Sequence, residues 1–493
     1  MKKTLSAVLA LVMLLTSFAA FSFTADAAEP MEKHIKGVNY EYVIKNDKVT
    51  IQYAFISGNS AGKTITIPSK IDGKKVVALE CMGMEEKNTK TTTLVIPDTV
   101  EKLGGIYEGG GYKTIDCTNL ATVKIGKNLK SMSYNPFMSS VKKFTVNSKN
   151  KYFTTVKGVL YNKKKTKLVA YPAKKAGKSF TVPASVKTLG TRSFYYVSKL
   201  KTLKTNKVVT VADETFYYSG IKTINFGKPL KTITGESFAL PSGLKKITVA
   251  KGNKYFTVKD NVLFNKKKTK LVYFPYNKKL SKYTVPKSVK TVGRYAFFYN
   301  ATKKVVVPAS VKTVEEGAFM VFQGKVNVPS KVVKIEEEAY LGADVGKSLT
   351  LPSTLKTIGK YTFLNADFES VDLSKTKLTQ IPEGAFSSCA KLAAVKLPST
   401  LKTIGMSAFT DTAVTSLVLP ASVTKVGAYA LWCESLKELT VKGADTALNE
   451  DAIMQYEDDN AEAGIINTIV IKAPAGSKAE TYANEKGFTF EAL

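Results

Sequence analysis

One motif recurs along most of this chain at intervals of 21 to 23 residues. Residues 351–363 have the sequence LPSTLKTIGKYTF, and residues 397–409 have the sequence LPSTLKTIGMSAF. The aliphatic residue before the glycine position marks each copy. These marker residues are Leu189, Val211, Ile233, Val292, Val314, Ile335, Ile358, Ile381, Ile404 and Val426. A globular domain with a non-repeating core has no reason to keep such a register, so the repeat constrains the fold more than any other feature.

Each repeat carries about four apolar side chains, for example Leu351, Leu355, Ile358 and Phe363. One repeat cannot bury them, but stacked repeats can line a continuous core. The β-branched stretches around Pro and around Lys-Thr-Ile are typical of strands of a few residues. We therefore predict a mostly β solenoid of coils with about 22–23 residues each, in which the marker residues form one column.

A longer repeat is superimposed on the short one. Residues 144–196 match residues 247–299 without a gap, at an offset of 103. Within them, residues 158–169 and 261–272 each contain two alternating apolar stretches around an Asn-Lys-Lys-Lys segment. This pattern predicts two β-hairpins inserted into the solenoid, near 147–178 and 250–281.

The two ends of the chain differ from the repeats. Residues 1–27 have two lysines, an apolar run and an Ala-Asp-Ala site, which predicts a secretory signal peptide; an uncleaved membrane anchor is the alternative. We expect residues 28–75 to form an N-terminal β cap, residues 76–443 the solenoid, and residues 444–493 a C-terminal cap. The last segment should contain a short helix from Ser477 to Lys486, stopped by Gly487.

These motifs resemble a known repeat. The Leu-Pro-Ser-Thr-Leu stretch with its following Gly and Phe, the Gly-Val-Leu-Tyr-Asn-Lys hairpin and the C-terminal segment 475–483 are similar to the bacterial BspA-type leucine-rich repeat family. The resemblance implies a leucine-rich-repeat solenoid in an exported surface or secreted protein, of a family often linked to adhesion. It does not indicate any one ligand. The chain shows no wall-attachment or carbohydrate-binding module, which such proteins often carry.

The positive charge is concentrated in the middle of the chain. The formal net charge is +33, and residues 117–212 contain 21 basic residues and no Asp or Glu. Such a field attracts polyanions in a salt-dependent way. Lysine predominates over arginine there, which favours diffuse attraction over a sharply specific phosphate site. The alternative is that these lysines form only a solvated surface.

Two groups of residues are candidates for ligand binding. The hairpin tips supply lysines, and the rings that follow the core Phe are expected to be exposed, where they could bind sugars or protein side chains. The first two pairs of rings are 22 residues apart and should stack on neighbouring coils. These rings could instead pack against each other. The candidates are Lys163, Lys164, Lys165, Lys167, Lys266, Lys267, Lys268, Lys270, Tyr195, Tyr196, Tyr217, Tyr218, Phe298 and Tyr299.

The residues that most enzymes need are missing. The single histidine, His34, offers neither a metal cluster nor a catalytic triad, and no Gly-rich phosphate loop is present. We expect no enzyme activity, no catalytic residue, no metal and no cofactor. Cys389 and Cys433 lie two coils apart, too far for a disulfide, so we predict free buried thiols there and at Cys117; a bond between Cys81 and Cys117 remains open.

The sequence therefore predicts a secreted or cell-surface binding protein. We expect it to be adhesin-like and to engage a host or matrix protein or an anionic glycan through the solenoid surface. The alternative is a structural protein of the cell envelope, held by lysine contacts to anionic wall polymers. We expect no specific nucleic acid partner and no transmembrane segment after signal cleavage.

Overall fold

The structure is a computed structural model that describes residues 29–85, 87–107, 111–138, 140–238, 240, 243–453 and 469–493. The predicted signal peptide lies outside these residues. The chain divides into two compact units. Unit 1 consists of residues 1–233 and 237–254, and unit 2 of residues 234–236 and 255–493.

Unit 1 contains twenty strands among its described residues. They are β1 (Met31–Ile35), β2 (Val38–Lys45), β3 (Lys48–Ile56), β4 (Thr64–Thr66), β5 (Lys70–Ile71), β6 (Lys74–Met84), β7 (Thr93–Ile96), β8 (Lys102–Leu103), β9 (Ile115–Asp116), β10 (Thr122–Ile125), β11 (Lys143–Val146), β12 (Phe153–Val156), β13 (Val159–Asn162), β14 (Lys167–Ala170), β15 (Ser179–Thr181), β16 (Thr188–Leu189), β17 (Thr202–Lys204), β18 (Thr210–Val211), β19 (Thr223–Phe226) and β20 (Lys246–Val249). A 3-10 turn spans Glu236–Phe238.

The described part of unit 2 contains twenty-one strands and one helix. They are β21 (Phe256–Lys259), β22 (Val262–Asn265), β23 (Lys270–Tyr273), β24 (Tyr283–Thr284), β25 (Thr291–Val292), β26 (Lys304–Val306), β27 (Thr313–Val314), β28 (Lys325–Val326), β29 (Lys334–Ile335), β30 (Ser348–Thr350), β31 (Thr357–Ile358), β32 (Ser370–Asp372), β33 (Gln380–Ile381), β34 (Ala394–Lys396), β35 (Thr403–Ile404), β36 (Ser416–Leu419), β37 (Lys425–Val426), β38 (Glu438–Val441), β39 (Ala447–Leu448), β40 (Val470–Ala473), α1 (Lys478–Lys486) and β41 (Thr489–Ala492).

Each regular coil contributes one short strand to each of two parallel sheets. In unit 1 the sheet order is β15-β17-β19-β20 for the first strand of the coil and β14-β16-β18 for the second. In unit 2 the corresponding sheets are β24-β26-β28, β30-β32-β34 and β36-β38-β40-β41 for the first strand, and β23-β25-β27-β29-β31 and β33-β35-β37-β39 for the second. The predicted mostly β leucine-rich-repeat solenoid is confirmed.

The first strands of unit 1 form a different arrangement. Strands β1, β2 and β3 pair antiparallel, and β3 then pairs parallel with β6. The backbone ladder of β6 also extends to β8 and β9. Buried side chains from this sheet and from the first coils form one hydrophobic cluster, which includes Val49, Leu79 and Phe137.

An aromatic column runs through the core of unit 2. The rings of Phe363, Phe386 and Phe409 are nearly parallel, with centroids 5.5 and 5.4 Å apart. The column continues back from Phe363 through Tyr340 and Phe319 to Phe297. Unit 1 has the same feature, in which Phe194, Phe216 and Phe238 follow one another. The 22-residue period therefore places equivalent rings directly over each other.

The backbone around most core rings has a recurring left-handed conformation. The residues two positions before and two positions after the ring both have positive φ, as at Arg192 (56°) and Tyr196 (53°) around Phe194. The same pair recurs at Glu214 (53°) and Tyr218 (52°) around Phe216. This conformation is uncommon for residues other than glycine. It turns the chain back after each second strand and sets the direction of the side chains at these positions.

The second-strand ladder of unit 2 is interrupted between β31 and β33. In other coils the residue after the marker donates a backbone hydrogen bond to the preceding marker, as Gly405 does to Ile381 and Gly427 to Ile404. Pro382 occupies this position after Ile381 and has no N–H to donate. A shallow groove of about 470 Å³, lined by Ile358, Gly359 and Pro382 among others, lies at the interruption.

The predicted C-terminal helix is confirmed as α1. The Ser477 side chain accepts a hydrogen bond from the Glu480 N–H, which caps the first turn. Gly487 ends the helix with a left-handed φ of 72°. The buried face of α1 contributes Ala479, Tyr482 and Ala483 to the core of unit 2.

Candidate binding surfaces

The lysine-rich segments form the tips of two hairpins, as predicted. Strand β13 pairs antiparallel with β12 and with β14, and β22 does the same with β21 and β23. In each tip the Asn side chain accepts hydrogen bonds from the backbone of the Thr and Lys four and five residues later. The tips are therefore ordered turns. The exposed tip lysines are Lys163, Lys164, Lys165, Lys266, Lys267 and Lys268.

The candidate lysines of the two hairpins differ in their contacts. Lys163 donates to the Asn150 carbonyl at 2.5 Å, so its ammonium group is held against the backbone. Lys270 forms an ion pair with Glu315 at 2.7 Å. Lys167 is the equivalent residue of the first hairpin, and no carboxylate in the described part of the chain lies within 4 Å of its ammonium nitrogen. The first hairpin is thus the more strongly positive of the two.

The four candidate tyrosines of unit 1 stack on neighbouring coils, as predicted. The rings of Tyr195 and Tyr217 are 5.8 Å apart with an interplanar angle of 4°, and those of Tyr196 and Tyr218 are 5.0 Å apart. Tyr196, Tyr217 and Tyr218 are partly exposed. The prediction of exposure is wrong for Tyr195, which is 4% exposed because it packs between the Tyr217 ring and the guanidinium group of Arg192.

Arg192 organises this aromatic cluster from inside. Its guanidinium carbon lies 4.5 Å from the ring centroid of Tyr112, 4.8 Å from that of Tyr195 and 5.4 Å from that of Tyr217. It also pairs with Glu214 at 2.5 Å. Burial raises the pKa of Tyr195 and Tyr217 well above the ordinary tyrosine value. These hydroxyl groups therefore stay neutral.

The candidate rings of unit 2 are less accessible than expected. Phe298 is partly exposed, but Tyr299 is only 8% exposed, so the prediction of exposure is wrong there too. The Tyr299 ring packs between Phe298 at 6.1 Å and Tyr276 at 6.3 Å. The cause is the second hairpin, whose following segment supplies Tyr276.

The structure does not join the hairpin tip of unit 1 to the tyrosines of that unit. The Lys163–Lys165 tip precedes the amino end of β14, whereas Tyr195 and Tyr196 follow the carboxyl end of β16. Strands β14 and β16 are parallel, so the two groups lie at opposite ends of the same sheet. They are separate surfaces, and whether either binds a ligand remains a prediction.

An acidic network lies on successive coils of unit 2. The Arg294 guanidinium pairs with Glu236 at 2.7 Å and with Glu316 at 2.9 Å. On the next coil, Glu338 accepts a hydrogen bond from the Tyr295 hydroxyl at 3.4 Å. Burial, followed by repulsion from Glu337 and Glu316, raises the pKa of Glu338 to about 7. This carboxyl group changes its charge near neutral pH.

The cysteines that were predicted to be free and buried are placed as predicted. Cys117, Cys389 and Cys433 are free and buried, and Cys81, whose state was left open, is also a free thiol. Burial raises the pKa of Cys117 and of Cys389 to about 12. The exposed His34 ring nitrogen contacts the Asn39 side chain at 2.6 Å. In the described residues no helix is long and apolar enough to cross a membrane.

Sequence reasoning missed one surface, the outward face of the sheet β15-β17-β19-β20. The residues that precede these strands are Lys178, Lys201, Lys222 and Lys245, at spacings of 23, 21 and 23 residues. The repeat period itself was the signal that could have revealed this column. The lysines of this column are 21 to 23 positions apart in the sequence, whereas those of the hairpin tips are consecutive.

The chain was compared with known protein families. The sequence profile of the BspA type leucine-rich repeat region, which comprises six repeat copies, matches residues 170–277, 272–376 and 322–437. Together these matches cover residues 170–437 without a gap, which is more than half of the chain. No curated protein matches the sequence significantly.

Several solved structures of bacterial proteins are similar to this chain. The pneumococcal vaccine antigen PcpA is 19% identical, with 95% of this chain and 100% of that chain covered and a TM-score of 0.39. A leucine rich cell surface protein from Faecalibacterium prausnitzii is 17% identical, with coverage of 95% and 96% and a TM-score of 0.29. A leucine-rich repeat protein from Bacteroides ovatus is 19% identical, with coverage of 94% and 99% and a TM-score of 0.33.

Proposed function

Because this chain belongs to the BspA-type leucine-rich repeat family, we propose that it is a non-enzymatic, adhesin-like binding protein of the extracellular space. It acts in secreted form or at the cell surface and engages a host or matrix protein or an anionic glycan. Repeat scaffolds suit this role because their coils present extended surfaces.

The observation that carries the proposal is the placement of equivalent side chains on successive coils. The core rings stack along the coils, and the partly exposed rings of Tyr196 and Tyr218 repeat that register at the surface of unit 1. A ligand can therefore contact the same kind of side chain several times along one face. The tyrosines combine a large apolar area with a polar hydroxyl group, which is typical of protein-binding surfaces.

The lysine tips add long-range attraction to this surface. The lysines of both tips are exposed, and the sequence 117–212 around the first tip contains no acidic residue. Their contribution should fall as salt screens the charges, whereas contacts made by the tyrosines should not. Binding through the lysines can therefore be distinguished from binding through the tyrosines by raising the salt concentration.

A binding array tests this proposal. The full chain without residues 1–27 is applied to matrix proteins and glycans at about 50 mM and about 500 mM salt, a range over which the screening length falls severalfold. Retained binding to a protein at high salt supports an adhesin-like role. Absence of binding to every protein and glycan at both salt concentrations would contradict it. A hydrolase activity that a single substitution abolishes would also contradict it.

A structural role in the cell envelope is the second candidate, favoured by the exposed lysines of the hairpin tips. In that role the lysines hold the protein on anionic wall polymers. The distinguishing measurement is release from isolated cell walls. Release of most of the protein by moderate salt, together with an empty binding array, favours the envelope role.

A further inference from the structure

The outward face of the sheet β15-β17-β19-β20 in unit 1 has an unusual composition. Four coils contribute three positions each, and we call these twelve residues the lysine face. They are Lys178, Ser179, Thr181, Lys201, Thr202, Lys204, Lys222, Thr223, Asn225, Lys245, Lys246 and Thr248. Six are lysines, six are hydroxyl or amide residues, and none is acidic or aromatic. All twelve are at least partly exposed.

We infer that the lysine face binds a linear anionic polysaccharide lying across the four coils. The inference rests on the proposed function and assigns the polysaccharide to one surface. That surface is distinct from the hairpin tips and from the tyrosines. Its lysines attract the sulfate or carboxylate groups of the polymer, and its hydroxyl and amide groups contact the sugar hydroxyls.

The backbone holds the lysines of the face in register. The Lys201 N–H donates to the Lys178 carbonyl at 2.8 Å, and the Lys222 N–H donates to the Lys201 carbonyl at 2.9 Å. The Lys245 N–H then donates to the Lys222 carbonyl at 2.8 Å. Adjacent strands are about 4.8 Å apart, so the column supplies a cation at that interval. A repeating polymer can follow such a column.

The rest of the face is also fixed by its packing. Leu203, Ile224 and Ile247 lie between the outward positions and are at most 2% exposed, so the strands cannot rotate. The Lys201 ammonium group donates to the Ser198 carbonyl at 2.5 Å, and Thr248 donates to the Asn225 side chain at 2.7 Å. A polymer would meet a preorganised row of donors, which reduces the entropic cost of binding.

One of the three corresponding sheets of unit 2 provides an internal comparison. The corresponding positions of β30-β32-β34 include two lysines, Lys347 and Lys396, and two acidic residues, Glu369 and Asp372. Lys347 and Glu369 form an ion pair at 3.2 Å. The same scaffold therefore carries a balanced face on β30-β32-β34 and an all-positive face in unit 1, and β24-β26-β28 of unit 2 is also positive, with Lys282, Lys303, Lys304 and Lys325. Folding alone does not require the lysines, because adjacent like charges repel each other.

The composition favours a polysaccharide over a nucleic acid. Proteins that bind single strands stack the bases on aromatic side chains, and the lysine face has none. It also has no arginine, which gives the bidentate phosphate contacts typical of nucleic acid recognition. Lysines act as point charges, which suits a polymer with spaced anionic groups and many hydroxyls.

The test is a binding titration of the full chain without residues 1–27 against dextran sulfate. The face variant combines Lys178→Gln, Lys204→Gln, Lys222→Gln and Lys246→Gln. The control variant combines Lys347→Gln, Lys375→Gln, Lys377→Gln and Lys396→Gln, which removes the same charge from exposed positions of unit 2. We expect the face variant to bind about tenfold more weakly or worse, with a salt slope reduced by about 2–3, since four ionic contacts are lost. The control variant should change less than about threefold.

The remaining arms decide the ligand class. Neutral dextran should not bind, and oligodeoxythymidylate should bind much more weakly than dextran sulfate. An equal loss in the face and control variants would overturn the inference, because only net charge would then matter. Oligodeoxythymidylate binding as tight as dextran sulfate binding would overturn the choice of polysaccharide. In either case, a matrix protein bound at high salt by both variants would leave the proposed function intact. Thermal unfolding of both variants should match that of the parent protein.

Discussion

The guanidinium group of Arg192 lies 4.5 Å from the ring centroid of Tyr112, which precedes it by eighty residues in the chain. It thereby joins an irregular early segment of unit 1 to the first regular coils. The Arg192 backbone carbonyl also accepts a hydrogen bond from the Asn135 side chain at 3.1 Å. Arg192, in the turn after β16, thus contacts the segments around Tyr112 and Asn135, which do not belong to its sheet.

Replacing Arg192 by Met should destabilise unit 1 by about 3 kcal/mol, since removing one partner of a buried ion pair leaves the other charge desolvated. The Arg192 and Glu214 side chains are 9% and 20% exposed. Urea unfolding combined with amide hydrogen exchange measures the loss. The double variant with Glu214→Gln should recover part of it. A single variant as stable as the parent protein would show that the cluster does not depend on this cation.

The core column gives a prediction for Phe386, which is fully buried between Phe363 and Phe409. Phe386→Ala should cost about 3–5 kcal/mol, because it leaves a cavity that rigid neighbouring coils cannot fill. Phe386→Leu should cost less because it keeps more of the volume. The exposed variant Lys391→Gln in the same coil should stay within about 0.5 kcal/mol of the parent. Denaturant unfolding of the three variants checks this order.

Glu338 predicts a pH dependence of stability. Burial raises its pKa to about 7 in the folded chain, above the ordinary value near 4.3, with repulsion from Glu337 and Glu316 in the same direction. The folded state therefore binds more protons than the unfolded state between these two values, and the contribution of Glu338 to stability falls as the pH rises through this window. Tyr295 and Arg294 face the carboxylate and oppose the shift.

Glu338→Gln should therefore stabilise unit 2 by about 1–3 kcal/mol at pH 8 and change it little at pH 5. Thermal unfolding at the two pH values measures this difference. The exposed variant Glu369→Gln serves as the control and should show a small effect at both pH values. A stabilisation by Glu338→Gln that is equal at pH 5 and pH 8 would rule out the charge as its cause.

The cap of α1 gives a prediction for the C-terminal end. Ser477 is 1% exposed, and its side chain accepts the Glu480 N–H at 3.3 Å. Ser477→Ala should cost about 1 kcal/mol, while Ser477→Asp should retain most of the stability because Asp is also a good N-cap. Hydrogen exchange of the α1 amides is the measurement. Unchanged protection in Ser477→Ala would show that packing of Tyr482 and Ala483 alone holds the helix.

The sequence by itself determined the coil. A period near 22 residues specifies which side chains are equivalent, and equivalence is enough to predict that Phe363, Phe386 and Phe409 stack and that Tyr195 lies over Tyr217. It also predicted α1, because capping residues and glycine act locally. The interruption at Pro382 could have been inferred from its missing N–H, once the ladder position was known.

Only the tertiary structure decided how accessible and how close the candidate residues are. Tyr195 is buried in part by the Arg192 side chain, which lies three residues earlier in the same coil. Tyr299 is buried in part by Tyr276, which lies in the segment after the second hairpin. The first hairpin tip is separated from the tyrosines because β14 and β16 run in the same direction. The lysine face exists because backbone hydrogen bonds bring Lys178, Lys201, Lys222 and Lys245 into one column. The period determines which side chains are equivalent on successive coils. Contacts between different parts of one coil depend instead on where the backbone bends, and the left-handed residues around most core rings set those bends.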